Sequence, residues 1–599
     1  MNSTTGAVYM DVKTRWHLPL IGLIQGIILA IIYYNFDFEA PVPLALRLVI
    51  DVVVLAPVLF YATEAIDGLS QRSRAIIIGG LILLTIAVFE YNTWVFAPTE
   101  APSWRPQTVG PMLVFLFIAT HLLMHWSVFN PTHHAYRDLY KSTWRNAILC
   151  LLAVVLTQLF WMILFAGAEL FKLIGIKELR DLISKPWFNM PATTAVFSVV
   201  IATALLRHES FENLRRLLLG LLKWFLPLVL LLAAVWVVCL PFTGITGIFK
   251  NRSAAWIMLP TVALSVLFIN AAYQDGDEDA PYQTRISQLM KWLWLALIPV
   301  SLIALWAFYL RVSEYSWTSE RLWGTFVTLL AITYAIGYSV SVLRPRSATW
   351  MPTIARTNRI AAVITCIGII AFLTPLLDGR RIEANAQLKR TLAMKAMPER
   401  GNIMKFLGTG LDLKFTEENG RFGLAALNQL TAPNAPFVSK DVAAGVKRDE
   451  DKIRRRIADR LKPRDKSSDD GSKVRIDVVN AEAVNAPLDA ALRKRIADKQ
   501  DNVDMFLCTE GTGCTIWWQD LNGDGQSEAI IFGNDSKVMA HVYVLVDNEP
   551  KQIGMLQPAD LVRGPATTDL FESVKSGNAE LVPNPWKRVR VGNDEYELK

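Results

Sequence analysis

The segment 360–390, IAAVITCIGIIAFLTPLLDGRRIEANAQLKR, decides the fold because its two halves require different surroundings. The first half, Ile360–Leu377, is an apolar run without a charged residue. About 20 such residues in a helix cross the hydrocarbon core of a bilayer. From Asp378 onward charged residues recur every few positions, as they do in soluble proteins. The segment therefore predicts a membrane-spanning helix that ends where a soluble region begins.

Apolar runs of the same kind fill the chain before this segment. The protein has 599 residues, of which 52% are hydrophobic and 19% are charged. Roughly eleven runs are long enough, or nearly so, for one span each. They are 18–34, 44–63, 75–96, 109–126, 147–174, 190–206, 221–240, 254–273, 289–310, 323–343 and 360–377. We predict a polytopic α-helical membrane protein of about eleven spans with a C-terminal soluble α+β domain.

The runs divide the chain into four predicted parts. Residues 1–17 are the N-terminus and residues 18–377 the transmembrane helical domain, whose first run lacks a small-residue cleavage site and is taken as an uncleaved span. A helical stalk follows at 378–401, and residues 402–599 form the soluble domain. Its β-forming runs alternate with turn residues, which predicts an antiparallel sheet. These runs are 473–479, 514–519, 528–533, 541–547, 586–591 and 595–598.

The distribution of Lys and Arg predicts the orientation. Cytoplasmic loops of membrane proteins carry an excess of these residues. Segments that a cytoplasmic N-terminus places inside, such as those with Arg72 and Arg74, contain more of them than the alternate segments do. An odd number of spans then places the C-terminal domain outside the cytoplasm. We predict a protein of the bacterial inner (cytoplasmic) membrane with a cytoplasmic N-terminus and a periplasmic C-terminal domain.

Two cysteines of the soluble domain bear on the same question. Cys508 and Cys514 lie close together in CTEGTGC, where two glycines allow a tight loop. A disulfide between them requires an oxidising compartment such as a periplasm. The alternative is two free thiols in a surface loop.

The most specific local motif is DLNGDGQSE, residues 520–528. Ca²⁺ prefers oxygen ligands, and alternate positions here offer side chains of Asp520, Asn522 and Asp524, the carbonyl of Gln526 and the carboxylate of Glu528. The acid falls at the ninth position and strands flank the loop, so this is not an EF-hand. The motif predicts a structural Ca²⁺ site. The alternative is an Asp/Asn/Gly-rich hairpin loop without an ion.

Ionisable residues within predicted spans are functional candidates. Arg47 and Asp51 share one helix face and could neutralise each other, although Arg47 could instead extend to the interface. Glu90 lies near a span end, where headgroups would solvate it. His121 and His125 have the spacing at which a helix chelates a metal, but without the Glu of the HExxH pattern.

No catalytic signature stands out in the sequence: we find no Walker loop, GxSxG elbow, CxxC pair or strand-placed GxGxxG. Two kinds of function therefore stay open. The first is an envelope structural, sensory or assembly role, in which the exported domain contacts an envelope protein or the cell wall. The second is a transporter or a membrane enzyme acting on a lipid-linked substrate, with a polar cavity lined by Arg47, Asp51 or Glu90. The net charge of +7 reflects mainly the basic loops and does not indicate a nucleic-acid partner.

Several segments, taken together and in this order, resemble the bacterial membrane-protein family called domain of unknown function (DUF) 4153. They are residues 142–176, NAAYQDG at 270–276, FYLRVSEYSWTSERLWG at 308–324 and DLNGDGQSEAIIF at 520–532. The resemblance implies a multi-span inner-membrane protein and no established activity, so no catalytic residue carries over. The family often has Gly where Ser316 or Trp317 stands here. The acidic loop is also similar to the calcium loops of FG-GAP-type repeats, although only one copy is present.

Overall fold

The computed structural model has two compact units. The helical unit comprises Met1–Pro398 and Leu411–Lys462, and the sheet unit comprises Glu399–Gly410 and Pro463–Lys599. The predicted soluble domain began at residue 402, whereas compactness assigns 411–462 to the helical unit. The structure describes residues 17–36, 42–64, 69–99, 106–126, 136–174, 176, 178–244, 254–274, 284–343, 351–396, 413–461, 476–498, 514–533, 540–546, 549–558, 574, 576, 580–582, 588–591 and 594–598.

Apolar helices make up most of the helical unit. They are α1 His17–Asn35, α2 Leu44–Glu64, α3 Gln71–Phe96, α4 Pro106–Met124, α5 Tyr136–Leu173, α6 Glu178–Ser184, α7 Pro186–Leu206, α8 His208–Leu222, α9 Leu226–Thr243, α10 Ala254–Tyr273, α11 Thr284–Leu293, α12 Leu297–Tyr315, α13 Ser319–Leu343 and α14 Met351–Leu373. Short 3₁₀ turns, Lys223–Phe225 and Trp294–Ala296, join α8 to α9 and α11 to α12.

Within the described residues, nine helical stretches are long and apolar enough to cross a bilayer. The shorter apolar helices Thr108–Met124 and Ile257–Ala272 coincide with two further predicted runs. The predicted combination of apolar helices with a C-terminal sheet is confirmed, and the number of spans stays a prediction. Residues 1–16, most of the predicted N-terminal part, lie outside the described residues.

Close packing of α1 on α7 depends on two glycines one helical turn apart. A Cβ at Gly22 would overlap the carbonyl oxygen of Thr194, and one at Gly26 would overlap the backbone of Met190. Small residues at this spacing let helix backbones approach closely where no hydrophobic effect drives helices together. Beside this contact, the hydroxyl of Tyr61 donates to the carbonyl of Leu18 at 2.9 Å.

Four further helices complete the helical unit, and we call their described residues, 379–396 and 413–461, the helical cap. They are α15 Gly379–Ala393, α16 Lys414–Glu418, α17 Gly420–Leu430 and α18 Lys440–Leu461. Their shared core includes Leu388, Leu427 and Val442. Within the predicted stalk at 378–401, Gly379–Ala393 is helical, but this helix, α15, packs on α13 and α17 and so does not project freely. Phe415 of the short helix Lys414–Glu418 also joins this core.

The sheet unit contains β1 Ile476–Val479, α19 Ala486–Asp498, β2 Cys514–Gln519, β3 Glu528–Gly533, β4 Ala540–Val546, β5 Glu549–Pro558, β6 Glu580–Val582, β7 Arg588–Val591 and β8 Asp594–Leu598. The strand order is β1-β2-β3-β4-β5-β8-β7-β6. The sheet is antiparallel as predicted, except that β1 pairs with β2 in parallel. A parallel neighbour needs a long crossover, and α19 lies within it. Leu488 and Leu492 of α19 cover the face that carries Trp518.

Candidate functional site

The acidic loop connects β2 to β3 in a hairpin whose last strand pair is Gln519 with Glu528. Gly523 and Gly525 have φ angles of 80° and 85°, which glycine adopts without steric cost. These turns direct the backbone N–H groups of Gly523 and Gly525 at the side chain of Asp520. The carboxylate of Asp520 accepts the N–H of Gly523 at 2.6 Å and that of Gly525 at 3.1 Å.

Three further side chains close the loop. Asn522 accepts the N–H of Asp524 at 2.8 Å and donates from Nδ2 to its carboxylate at 2.9 Å. Asp524 accepts the N–H of Gln526 at 2.7 Å. Glu528 accepts the N–H of Leu521 at 2.6 Å and is 3% exposed. The hairpin thus holds its acidic side chains in fixed directions.

The carboxylates of Asp520, Asp524 and Glu528 converge, each offering one oxygen within 4.8 Å of the others. Ca²⁺ binds oxygens at about 2.3–2.6 Å, so two ligands on opposite sides of the ion lie about 5 Å apart. Burial raises the pKa of Glu528, and the charges of Asp524 and Asp520 raise it further. The three carboxylates, the spacing of their oxygens and their mutual repulsion therefore fit a divalent cation. Among the described residues this is the one cluster of three or more potential metal-ligating side chains.

Of the two cysteines in the predicted disulfide, the structure describes Cys514. Cys514 begins β2 and is fully buried against α19. Cys508 lies outside the described residues, so the disulfide stays a prediction.

The charged residues of α2 and α3 pair differently from the prediction. Arg47 forms a bidentate ion pair with Glu90 on the neighbouring helix: Nε lies 2.8 Å from Oε1 and Nη2 lies 2.5 Å from Oε2. Its Nη1 also donates to the carbonyl of Val42 at 2.6 Å. Asp51, the partner expected from helical spacing, is 2% exposed but forms no ion pair with Arg47. The planar guanidinium thus meets both carboxylate oxygens of Glu90, the geometry that makes Arg–carboxylate pairs strong.

Two histidines, His121 in α4 and His125 directly after it, attach the end of this helix to α5. His121 is 2% exposed, and its Nε2 lies 3.0 Å from the amide nitrogen of Asn146 while its Nδ1 lies 2.6 Å from the carbonyl of Phe117. A carbonyl only accepts, so Nδ1 carries the proton and Nε2 accepts from the amide. His125 Nε2 lies 2.7 Å from the hydroxyl of Ser142. Their helical spacing therefore serves helix packing, and among the described residues no acid or thiol joins them in a metal-binding cluster.

Sequence reasoning missed the charged cluster where the helical cap joins the bundle. Arg380 binds both carboxylate oxygens of Asp378, at 2.9 and 2.6 Å, and donates to the side-chain oxygen of Asn92 at 2.7 Å. The hydroxyl of Tyr91 donates to Asp378 at 2.7 Å. The Asp378 side chain is fully buried. This network fastens the start of α15 to α3, and its one sequence signal is a polar pair, Tyr91 and Asn92, inside an apolar run.

The cap also holds the turn between α12 and α13. Gln387 donates from Nε2 to the carbonyls of Tyr315 and Trp317, at 3.1 and 3.0 Å, and Arg321 donates to that of Ser316 at 2.6 Å. Ser316 has φ 65° and ψ −178°, a region that is essentially restricted to glycine. Serine therefore adopts a strained backbone conformation at this position.

Glu383, on the same face of α15, caps the first turn of α13. Its carboxylate accepts the N–H of Ser319 at 2.8 Å and the residue is 8% exposed. Burial raises the pKa of Glu383, while the hydrogen bonds from Ser319 act in the opposite direction.

A neutral polar network crosses four helices of the bundle. Asn270 donates to the hydroxyl of Tyr338 at 2.8 Å, and that hydroxyl donates to the side-chain oxygen of Asn358 at 2.7 Å. Asn358 donates in turn to Asn270 at 2.7 Å and to the hydroxyl of Tyr136 at 2.6 Å. Tyr338 is fully buried. The amide and phenol groups satisfy one another, as buried polar groups must, and they join α5, α10, α13 and α14.

Comparison of the chain with protein-family profiles, with curated proteins and with solved structures gives no match. The resemblance to DUF4153 therefore stays an expectation.

Proposed function

We propose that this chain is an envelope protein of the bacterial inner membrane with a structural, sensory or assembly role, which it performs through the sheet unit as an exported binding domain. The observation that carries the proposal is which unit holds the potential metal-binding side chains. In the described part of the chain, the converging carboxylates belong to the sheet unit, whereas Arg47 and Glu90 within the bundle neutralise each other.

Calcium has a structural part in this proposal. The carboxylates of Asp520, Asp524 and Glu528 would hold the ion, together with the oxygens of Asn522 and Gln526. The ion would replace repulsion between the carboxylates with attraction and would stiffen the β2–β3 hairpin. The bound partner would be an envelope protein or the cell wall. With Cys508 and Cys514 as a disulfide, the domain would suit an oxidising periplasm.

The orientation in the proposal follows from the basic residues of the predicted inner loops. A reporter that is active only in the periplasm should therefore be active when fused after Lys599 and inactive when fused after Gln71. The reverse pattern would contradict the orientation and, with it, the exported role of the sheet unit.

Complementation tests the role itself. In a strain that lacks the protein, the full chain should restore resistance to envelope stress, and a chain that ends at Lys462 should reach the membrane without restoring it. The double variant Arg47→Gln/Glu90→Gln replaces the intramembrane charges with amides and should complement as well as the native chain. Immunoblots of membrane fractions control for the amount of each protein.

The alternative is a transporter or a membrane enzyme that acts on a lipid-linked substrate. It is favoured by one observation, the nearly complete burial of the Asp51 carboxylate inside the bundle. Under this alternative, the chain ending at Lys462 would complement and the Arg47→Gln/Glu90→Gln variant would fail. The same experiment therefore decides between the two functions.

A further inference from the structure

Asp51 places a carboxyl group inside the bundle without an ion pair or a hydrogen bond to hold it. The residue follows the start of α2 by two turns and is 2% exposed. The guanidinium one turn away, that of Arg47, is bonded through Nε and Nη2 to Glu90 and through Nη1 to the carbonyl of Val42. In the described part of the chain, no group donates a hydrogen bond to the Asp51 carboxyl oxygens.

The polar side chain in the middle of α1 is committed elsewhere. Pro57 interrupts α2 and has no N–H, so the carbonyl of Val53 loses its helical donor. Gln25 of α1 replaces that donor, with Nε2 at 3.1 Å from the oxygen of Val53 and at 3.4 Å from that of Val54. The amide therefore repairs the backbone of α2 one turn beyond Asp51 and is not bonded to the carboxyl group.

The charges around Asp51 do not balance when it is ionised. The helices packed on α2 are α1, α3 and α4. The charged groups that act on Asp51 are Glu90 of α3 and Arg47, and these two neutralise each other. The segment between α1 and α2 contains two acids, Asp37 and Glu39, and no cation.

The other acids, histidines and basic residues of these four helices lie toward the end of α2 that is farther from Asp51. They are His17 of α1, Glu64 of α2, Arg72 and Arg74 of α3, and His121 of α4. Ionised Asp51 would therefore add one uncompensated negative charge to the interior of the bundle.

Burial of an ionised carboxylate is costly unless a counter-ion or hydrogen bonds replace the lost water. A proton removes the charge and with it the cost, and no helix has to move. Carboxyl groups that face the interior of a membrane bundle are also typical of sites that take up and release protons.

We propose that Asp51 is a proton-binding site of the helical unit and that the bound proton keeps Arg47 on Glu90. The proton comes from water and forms an O–H bond on the Asp51 carboxylate; its release returns it to water. While Asp51 is neutral, Glu90 is the one carboxylate that attracts the guanidinium. When the proton leaves, Asp51 competes for Arg47 from the i, i+4 position of the same helix. Proton occupancy thus selects the helix to which Arg47 is bonded, and it does so independently of the function proposed for the sheet unit.

Infrared spectroscopy of the full-length protein in detergent at about pH 7 tests the proton site, because protonated carboxyl groups absorb apart from carboxylates. Exposed Asp and Glu side chains, with pKa values of about 4, are ionised at this pH. The native spectrum minus that of Asp51→Asn should show one protonated carboxyl group, and other buried carboxyl groups cancel in this difference. Asp181→Asn removes an exposed aspartate from α6 and should leave the native band unchanged. Equal bands in the native chain and Asp51→Asn would overturn the proposal.

Two further variants keep Asp51 and test the competition for Arg47. In Glu90→Gln the guanidinium loses its carboxylate, so it should turn to Asp51, and the Asp51 component of the band should disappear. Arg47→Gln/Glu90→Gln also removes the guanidinium, and the band should return to its native intensity. A complete band in Glu90→Gln, or its loss in both variants, would overturn the proposal. Gel filtration and melting temperatures confirm that each variant is folded.

Discussion

Glu528→Gln separates the charge of the acidic loop from its shape. The substitution keeps a side-chain oxygen that can accept the N–H of Leu521, a bond of 2.6 Å in the native hairpin. It removes a buried carboxylate that stands near two others, Asp520 and Asp524. Without a cation, the variant should therefore unfold at the same temperature as the native sheet unit or at a higher one, because both burial and repulsion oppose the native charge.

With calcium the order should reverse. Ligand that binds only the folded state stabilises it by RT ln(1 + [L]/Kd), which is about 2.7 kcal/mol at a hundredfold excess over Kd. For an extracellular-type site with Kd of about 10⁻⁴ M, about 10 mM calcium supplies that excess. In a unit of about 150 residues each kcal/mol moves Tm by about 2–4 °C, so we expect a rise of about 5–10 °C for the native loop. Glu528→Gln should lose most of this rise.

The measurement uses residues 463–599, which hold the two hydrophobic clusters of the sheet unit. Trp517 and Trp518, 7% and 0% exposed, should report unfolding by fluorescence. Each protein is melted with calcium and with chelator. Glu482→Gln removes an exposed carboxylate from the 3₁₀ turn after β1 and should behave as the native unit does. A native Tm that is equal in calcium and chelator, or a full calcium shift in Glu528→Gln, would refute the metal site.

Three other predictions concern pH and packing. Burial raises the pKa of Glu528 in the folded, ion-free sheet unit. The stabilisation that protonated Glu528 adds to the free energy of unfolding is therefore complete below the ordinary glutamate pKa, and it is lost as pH rises through the raised pKa. Calcium competes with the same proton, so calorimetric titrations should show weaker calcium affinity as pH falls through that range; a pH-independent affinity would contradict this. Ser316→Gly should stabilise the full chain by about 1 kcal/mol, because it relieves a φ of 65° at ψ −178°, and a lower Tm in detergent would show that the turn is unstrained. Arg380→Met should destabilise the helical unit by about 3 kcal/mol, since it leaves the buried Asp378 carboxylate without its cation. In the same melting assay, the Tm of Arg380→Lys should lie between those of the native chain and Arg380→Met.

The sequence alone determined the class of the protein and much of its local structure. Apolar runs as long as a bilayer core can be read without any contact, because the span length follows from membrane thickness and helix rise. The strands β2 and β3 and the loop between them were also readable, since alternation and turn chemistry act over a few residues. The convergence of Asp520, Asp524 and Glu528 follows directly from that local hairpin.

Only the tertiary structure decided which polar groups meet. Helical spacing paired Arg47 with Asp51, but the guanidinium pairs with Glu90 of the next helix. The segment after residue 378 has the composition of a soluble stalk, yet Arg380 and its neighbours fasten it to the bundle through residues almost 290 positions away along the chain. Such contacts depend on how helices pack, and packing is set by long-range complementarity of shape and charge that periodicity in one segment cannot reveal.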